Sequence, residues 1–299
     1  TMSKRHKILA LFLALIFCLG TGPAFQVLAE EGEEASRSEH FDDEEPFVAT
    51  YQVDPTYISP LGDVSAATKM MLRNMHEGLY KVNPDGTLSE GVAKSIVFEH
   101  EEPYLIADIE LNDGIVFHNG DPLNAEAVKY SIERLSGLID GITEEDVSGS
   151  GYWGRLMNPA PKEDSDEEPV KGKVEIIDDL HLKLYMNDEF GVLTTMYSLA
   201  DALLVPPSVS EDEQKVHPVG LGPYKFVEYQ EGNYLAMTRF DDYYGELPEV
   251  KNIEFRKYAD MSTLPLAFES GEIDLLDLTR ETYNTYAERD LYIHEGYSN

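Results

Sequence analysis

Cysteine is almost missing from this chain: Cys18 is the only one in 299 residues. That excludes a disulfide scaffold and any zinc site built on several thiolates. Cations are scarce as well, with 23 Lys and Arg against 57 Asp and Glu and a formal net charge of -34. Repulsion on that scale excludes unaided binding to nucleic acid or to an anionic lipid surface. Long apolar runs are lacking too, since beyond residue 29 no stretch approaches the roughly 20 apolar residues that a membrane-spanning helix needs. The eight histidines lie far apart, no HExxH pair occurs, and neither a GxSxG elbow nor a Walker loop is present. The acidic run from Asp164 has Pro169 where a calcium-binding EF-hand loop needs glycine. Carboxylates are so many that no pair stands out as an acid/base couple. The residues therefore point to no catalytic centre, no metal site and no cofactor.

What the chain does have is ample material for a core: 42% hydrophobic residues, 18 Tyr and 12 Phe, in a length that suits one large or two medium domains. Its first 29 residues read as an export signal. Lys4, Arg5 and Lys7 form a basic start, Ile8 to Leu19 an apolar run, and Val27-Leu28-Ala29 a small-residue cleavage site. Cys18 offers a second reading as a lipid-accepting cysteine, which Leu15 suits and Phe17 does not. Either way the chain is expected outside the cytoplasm. Residues 30–46 hold nine acids and one Arg, so they are expected to form a disordered acidic linker.

The fold is expected to begin near Phe47, with a strand over FVATYQV ending at Asp54-Pro55. A helix follows from about Ser65 to Glu77, with Ala67, Met70, Met71 and Met75 on its apolar face. Asn83-Pro84-Asp85-Gly86 marks a turn. The stretch from Gly114 to Leu135 combines a strand end, a turn at Asn119-Gly120 and a helix whose Asn124 can cap the first free amides. His118 in that turn is expected to pack or hydrogen-bond rather than to bind metal. From Ser136 to Lys173 the composition loosens into Gly, Ser, Pro and acids, which reads as a long surface excursion with an aromatic patch at Tyr152-Trp153. That patch offers a ligand platform or an anchor of the excursion on its own domain. Strands are expected again at Val174 to Ile177 and Leu182 to Tyr185, then a helix from Phe190 to Leu204 and a hairpin about Gly232-Asn233. A strand follows at Lys251 to Tyr258, and then a short helix closed by Gly271. This mixture gives an α/β (mixed α+β) class.

Five blocks taken in order resemble a known family. They are EGLYKVNPDGTLSEGVAKS (Glu77 to Ser95), GIVFHNGDPLNAEAVKYSIERL (Gly114 to Leu135), HPVGLGPYKFVEY (His217 to Tyr229), FDDYYGELPEVKNIEF (Phe240 to Phe255) and SGEIDLLDL (Ser270 to Leu278). As a set they are similar to the extracytoplasmic solute-binding proteins of ABC transporters, in the peptide/nickel-binding family 5 that includes oligopeptide- and dipeptide-binding proteins. The chain departs where the family has Gly-Thr-Gly-Pro-Tyr and Leu221 stands for the threonine, and where Lys94-Ser95-Ile96 replaces an acid-Ser-Trp end.

The resemblance implies a periplasmic-binding-protein-like fold of the type II cluster with an extra inserted lobe. The first lobe would comprise 47–82 and 172–282, the inserted second lobe 83–171, and residues 283–299 would begin the crossing to a third lobe that this chain lacks. It implies a non-enzymatic protein that captures a peptide and delivers it to an ABC permease and ATPase complex. Nickel chelates, oligosaccharides and signalling peptides are the alternative solutes. An exported hydrolase and a truncated product without a transport role are readings of another kind. Ligand contacts carried over from the family fall on Asp63, Val64 and Ser65 before the first helix, on Tyr152 and Trp153, and on Leu221.

Overall fold

The structure is a computed structural model that describes residues 23–29, 45–55, 58–61, 65–83, 85–139, 142, 151–157, 170–188, 190–287, 289 and 291–297; for 23–29, 151, 281 and 291–297 it describes backbone only. In chain order the elements begin with β1 (Pro23–Ala29), β2 (Phe47–Tyr51), α1 (Ala66–Met75), β3 (Tyr80–Val82) and β4 (Leu88–Glu90). Next come β5 (Ala93–Glu101), β6 (Tyr104–Leu111), α2 (Ala125–Leu135), α3 (Gly151–Met157), β7 (Lys173–Asp178) and β8 (His181–Asn187). The last group is α4 (Gly191–Asp201), α5 (Glu211–Gln214), β9 (Tyr224–Gln230), β10 (Tyr234–Arg239), β11 (Asn252–Lys257), α6 (Leu264–Ser270), β12 (Leu275–Leu278), α7 (Arg280–Tyr286) and β13 (Leu291–Tyr297). The class is mixed α/β, as the pattern predicts.

Local chemistry accounts for most of these boundaries. Ser65 caps α1 by accepting from the Thr68 amide at 3.1 Å, and Asn124 caps α2 by accepting from Ala127 at 3.0 Å. Gly271 ends α6 at φ 80°, a left-handed conformation that glycine adopts without a Cβ penalty. Gly232, at φ 75°, turns the β9–β10 hairpin, and Asp54 secures it from outside. The Asp54 carboxylate accepts from the Gly232 amide at 2.9 Å and from the hydroxyls of Tyr51 at 3.0 Å and Tyr229 at 3.2 Å, and it pairs with Lys257. The expected Asp54-Pro55 strand end is thus a tie across β2, the hairpin and β11.

One four-stranded sheet has the order β2-β11-β10-β9, with β2 parallel to β11 and the other pairs antiparallel. It joins residues 47–51 to residues 224–257, which are far apart in sequence. Met71, Leu72 and Met75 of α1 pack with Leu235, Met237, Ile253 and Phe255 in its core. The second four-stranded sheet, β5-β6-β8-β7, is antiparallel throughout and carries α2 and α3. Here the expected boundary moves. A lobe ending at 171 would leave β6 without the seven register partners it has in β8, so the unit built on this sheet continues to Asn187. Between the units, the fully buried Arg134 of α2 donates from Nε to Glu211 Oε2 of α5 at 2.7 Å and from Nη2 to Ser59 Oγ at 2.9 Å.

Two further segments take on defined structure. The surface excursion holds α3, and that helix is not superficial: Trp153, Leu156 and Met157 are at most 4% exposed and belong to the same apolar cluster as Phe117, Val128, Leu184 and Leu221. Of the two readings of the Tyr152-Trp153 patch, the buried Trp153 fits the anchor, and three apolar side chains at helical spacing suffice to dock one short helix. The end of the segment read as an export signal, 23–29, forms β1, the middle strand of a third sheet in the order β12-β1-β13. It pairs antiparallel with β12 over four residues and with β13 over seven.

The buried Trp153 yields one expected outcome. Trp153→Ala should lower unfolding free energy by about 3–5 kcal/mol in denaturant titrations, through lost burial and a cavity; a loss under about 1 kcal/mol would mean the ring is not core. The position of β1 yields another. A chain lacking residues 23–29, as cleavage after Ala29 would produce, should show faster amide exchange at 275–278 and 291–297 than the chain of 299 residues, with exchange in β9 and β10 unchanged. Equal exchange at those segments in both chains would show that β1 does not hold the sheet together.

Candidate functional site

Of the expected contact residues that are described, three meet at one apolar cluster and Ser65 stands apart from them. Asp63 and Val64 lie outside the described residues, while Ser65 sits exposed at the start of α1 with its hydroxyl engaged by Thr68. Leu221 is fully buried beside the other end of that helix, and ten helical residues at about 1.5 Å each separate the two ends by roughly 15 Å. Trp153 and Leu221 share one apolar cluster, with Tyr152 packed against it. Tyr152 stacks on Phe190 with ring centroids 4.4 Å apart, and its buried hydroxyl has no hydrogen-bond partner. Of the described candidates, then, Ser65 is reachable, Tyr152 is half-buried with an unspent polar atom, and Trp153 and Leu221 are core.

Two polar joints do bring the quoted blocks together, and neither was singled out as a site in the sequence. At the first, Glu77 follows α1 and receives both tyrosines of the FDDYYG block. Tyr243 donates to Oε1 and Tyr244 to Oε2, each at 2.5 Å. Lys81 Nζ donates to the Tyr243 hydroxyl at 2.5 Å, lies 3.4 Å from Glu77 and stands over both rings within 5.0 Å of their centroids. Burial raises both phenols far above the ordinary tyrosine value, and the Glu77 carboxylate raises them further. They are therefore fixed donors and not nucleophiles at neutral pH. Gly78 is required next to this joint, because a Cβ there would stand 2.4 Å from the Ala200 carbonyl oxygen. The legible signal was Glu-Gly directly after an amphipathic helix, together with a tyrosine pair before Gly245.

At the second joint, the turn of Gly114 to Leu135 meets the Gly220-Leu221-Gly222 loop. His118 gives its backbone amide to the Gly220 carbonyl at 2.8 Å, and its ring nitrogens meet the Gly220 amide at 3.3 Å and the Gly222 carbonyl at 2.9 Å. The Gly222 amide donates to the Met75 carbonyl at 2.8 Å, closing the loop on the end of α1. A Cβ on Gly220 would stand 2.1 Å from that same carbonyl oxygen. His76, 1% exposed, faces the loop from α1 with Nδ1 3.2 Å from the Leu72 carbonyl and Nε2 unpartnered. Burial holds the His76 ring down to about 3 and the His118 ring down to about 4. Both are neutral at physiological pH. His118 thus behaves as the packing and hydrogen-bonding turn residue expected of it, and among the described residues no group of three or more His, Cys, Asp or Glu could hold a metal ion.

A third contact ties the last quoted block to β2: Asp274 of SGEIDLLDL exchanges two bonds with Val48, at 2.8 and 2.9 Å. The blocks are thus partners in space, and similar blocks elsewhere should carry a similar fold. Residues 87–298 match the family model described as bacterial extracellular solute-binding proteins, family 5 Middle. The chain is 23% identical over 221 residues to a glutathione-binding protein of Pectobacterium atrosepticum, covering 73% of this chain and 39% of the relative. It is 25% identical over 229 residues to the nickel-binding periplasmic protein of Escherichia coli K12, covering 74% and 40%. It therefore spans about two fifths of the length of these curated relatives. Among solved structures it is similar to an oligopeptide-binding protein of Bacillus subtilis in complex with a nonapeptide, at a TM-score of 0.66 and 19% identity, over 82% of this chain and 46% of that one. An ABC transporter substrate-binding protein of Listeria monocytogenes gives 0.64 and 24% over 82% and 46%. With 87–298 matched and the same blocks joined in the structure, the chain belongs to family 5 of the bacterial extracellular solute-binding proteins.

Proposed function

We propose that the chain supplies part of the solute-capturing component of an ABC importer, acting outside the cytoplasm without covalent chemistry, with a peptide as its solute. The observation that carries this reading is the family match over 87–298, supported by the likeness to a binding protein solved with a nonapeptide. In this reading the fold is a type II binding-protein arrangement in which two units, joined through the His118 and Arg134 contacts, form one wall of a cleft. An extended peptide is held there largely through its backbone, then passed to the permease and ATPase. The chemistry of the joints is consistent with such a role. Their hydrogen bonds are spent on holding loops, and the tyrosines and histidines are held in states that neither attack nor transfer protons at neutral pH.

A second reading within the family is a nickel complex or glutathione as solute, since relatives carry those names. Ser65, the Asp63-Val64 pair before it, and the free hydroxyl of Tyr152 remain the proposed contacts, whereas Trp153 and Leu221 would act through packing.

Calorimetric titration of the chain with a set of tri- to nonapeptides, with glutathione and with nickel–histidine separates these readings. Peptide binding at 1:1 is expected, weaker than about 1 μM because the chain spans two fifths of its relatives and encloses the solute on fewer sides. Binding of the nickel complex or of glutathione with none of peptide would overturn the peptide assignment. Turnover of any peptide would overturn the binding role itself.

A further inference from the structure

We propose that His118 is a positioning residue that sets the Gly220-Leu221-Gly222 loop by clasping it in one tautomer, with the proton on Nε2, and that a second proton on Nδ1 opens the clasp. The assignment follows from what each partner can do. A backbone amide only donates, so the Gly220 N–H facing Nδ1 at 3.3 Å requires a lone pair there. A carbonyl only accepts, so the Gly222 oxygen 2.9 Å from Nε2 requires the proton on that nitrogen. The main chain of His118 adds a third bond to the Gly220 carbonyl at 2.8 Å. One residue of the turn unit thereby fixes both glycines of a loop whose other side is pinned to α1 through the Gly222–Met75 bond. The ring is held in plane by an edge-on contact with Phe240, at a centroid distance of 4.9 Å.

Protonating Nδ1 sets an N–H against the Gly220 N–H, exchanging a hydrogen bond for a repulsion between two donors. The groups around the ring oppose that proton. Lys225 at the start of β9 carries a positive charge that opposes it, and the buried His76 at the end of α1 is itself lowered by His118 and by Arg134 of α2. Burial is the largest cause of the lowered His118 value of about 4; the Gly222 carbonyl works the other way and Lys225 assists. The folded-state value lies below the ordinary 6.5, so the unfolded or unclasped form binds the proton more readily. The contribution of the clasp is therefore present above about pH 6.5 and is lost as pH falls toward about 4. Nothing in this depends on which solute the protein takes.

The test uses the chain of 299 residues labelled with nitrogen-15. Two-bond nitrogen–proton spectra of the histidine rings, recorded from pH 8 to pH 4, should show His118 neutral with its proton on Nε2 until well below the ordinary histidine range. Amide exchange, corrected for its intrinsic pH dependence, should show Gly220 losing about tenfold of its protection as His118 titrates, the equivalent of one hydrogen bond's net worth. The Val128 amide, bonded to the Asn124 carbonyl in the first turn of α2, serves as the control for global unfolding. His118→Phe should give the same loss at pH 7 and remove its pH dependence. An Nδ1–H tautomer, a His118 titration near 6.5, or Gly220 protection that ignores the titration would each overturn the proposal. Should the Phe variant fail to fold, the spectra of the unsubstituted chain decide the matter alone.

Discussion

The structure depends on how closely the backbone of Gly220 and Gly222 can approach the last turn of α1. At Gly220 the space for a Cβ is already taken by the Met75 carbonyl oxygen and the His76 ring, and at Gly222 by the Asn74 carbonyl oxygen and the Met75 backbone. Only because both positions lack a side chain can the Gly222 amide reach Met75, and only then does the loop stand within reach of His118. Three elements distant in sequence are located by that contact: the helix that packs on the β2-β11-β10-β9 sheet, the turn that precedes α2, and the strand β9 that follows the loop. A methyl group there would push apart what the hydrogen bonds of the two units hold together, since interiors packed to crystal density have no slack to absorb it.

The buried polar groups around this approach follow from the same constraint. Loops brought close without side chains leave amides and carbonyls that water cannot reach, and each must be met by a partner. His118 meets two with one ring, and Gln214 meets both polar groups of Val219 through its amide, at 2.9 and 3.0 Å. Glu77 serves the neighbouring joint in the same way, by accepting from two tyrosines that have lost their water. Charge buried in this manner adds little net stability, because its desolvation cost offsets much of the attraction.

What the sequence disclosed divides along the range of the interaction responsible. Asn124, Gly232 and Gly271 act within a few residues of themselves, and the cap, the hairpin and the helix end they predict are where the structure has them. The docking of α3 depends on Trp153, Leu156 and Met157 finding partners in β8 and α2; the sequence offers Trp153 as an anchor in one of its two readings but does not name those partners. The pairing of β8 with β6 was out of reach for the same reason: alternation marks a strand but does not name its neighbour. For the site the balance is less favourable still. The quoted blocks identified the family, yet the residues that join them, Glu77 with Tyr243 and Tyr244, and His118 with Gly220, reveal their pairing only in space.

That difference bears on how solute contacts should be sought in this family. A residue that recurs in a recognisable block is as readily kept for joining two blocks as for touching a solute, and here the joints account for Glu77, Lys81, His118, Gly220, Gly222, Tyr243, Tyr244 and Asp274. Leu221 shows the consequence. It lies in the middle of the most recognisable loop, and it is buried completely, because the glycines on either side draw the backbone inward and carry the side chain with it. Polar groups free to meet a solute are those that no joint consumes. By that criterion half-buried Tyr152 is a better place to begin than any residue of the blocks themselves, since its ring is already fixed by Phe190 and its hydroxyl, buried in this structure, has no internal partner.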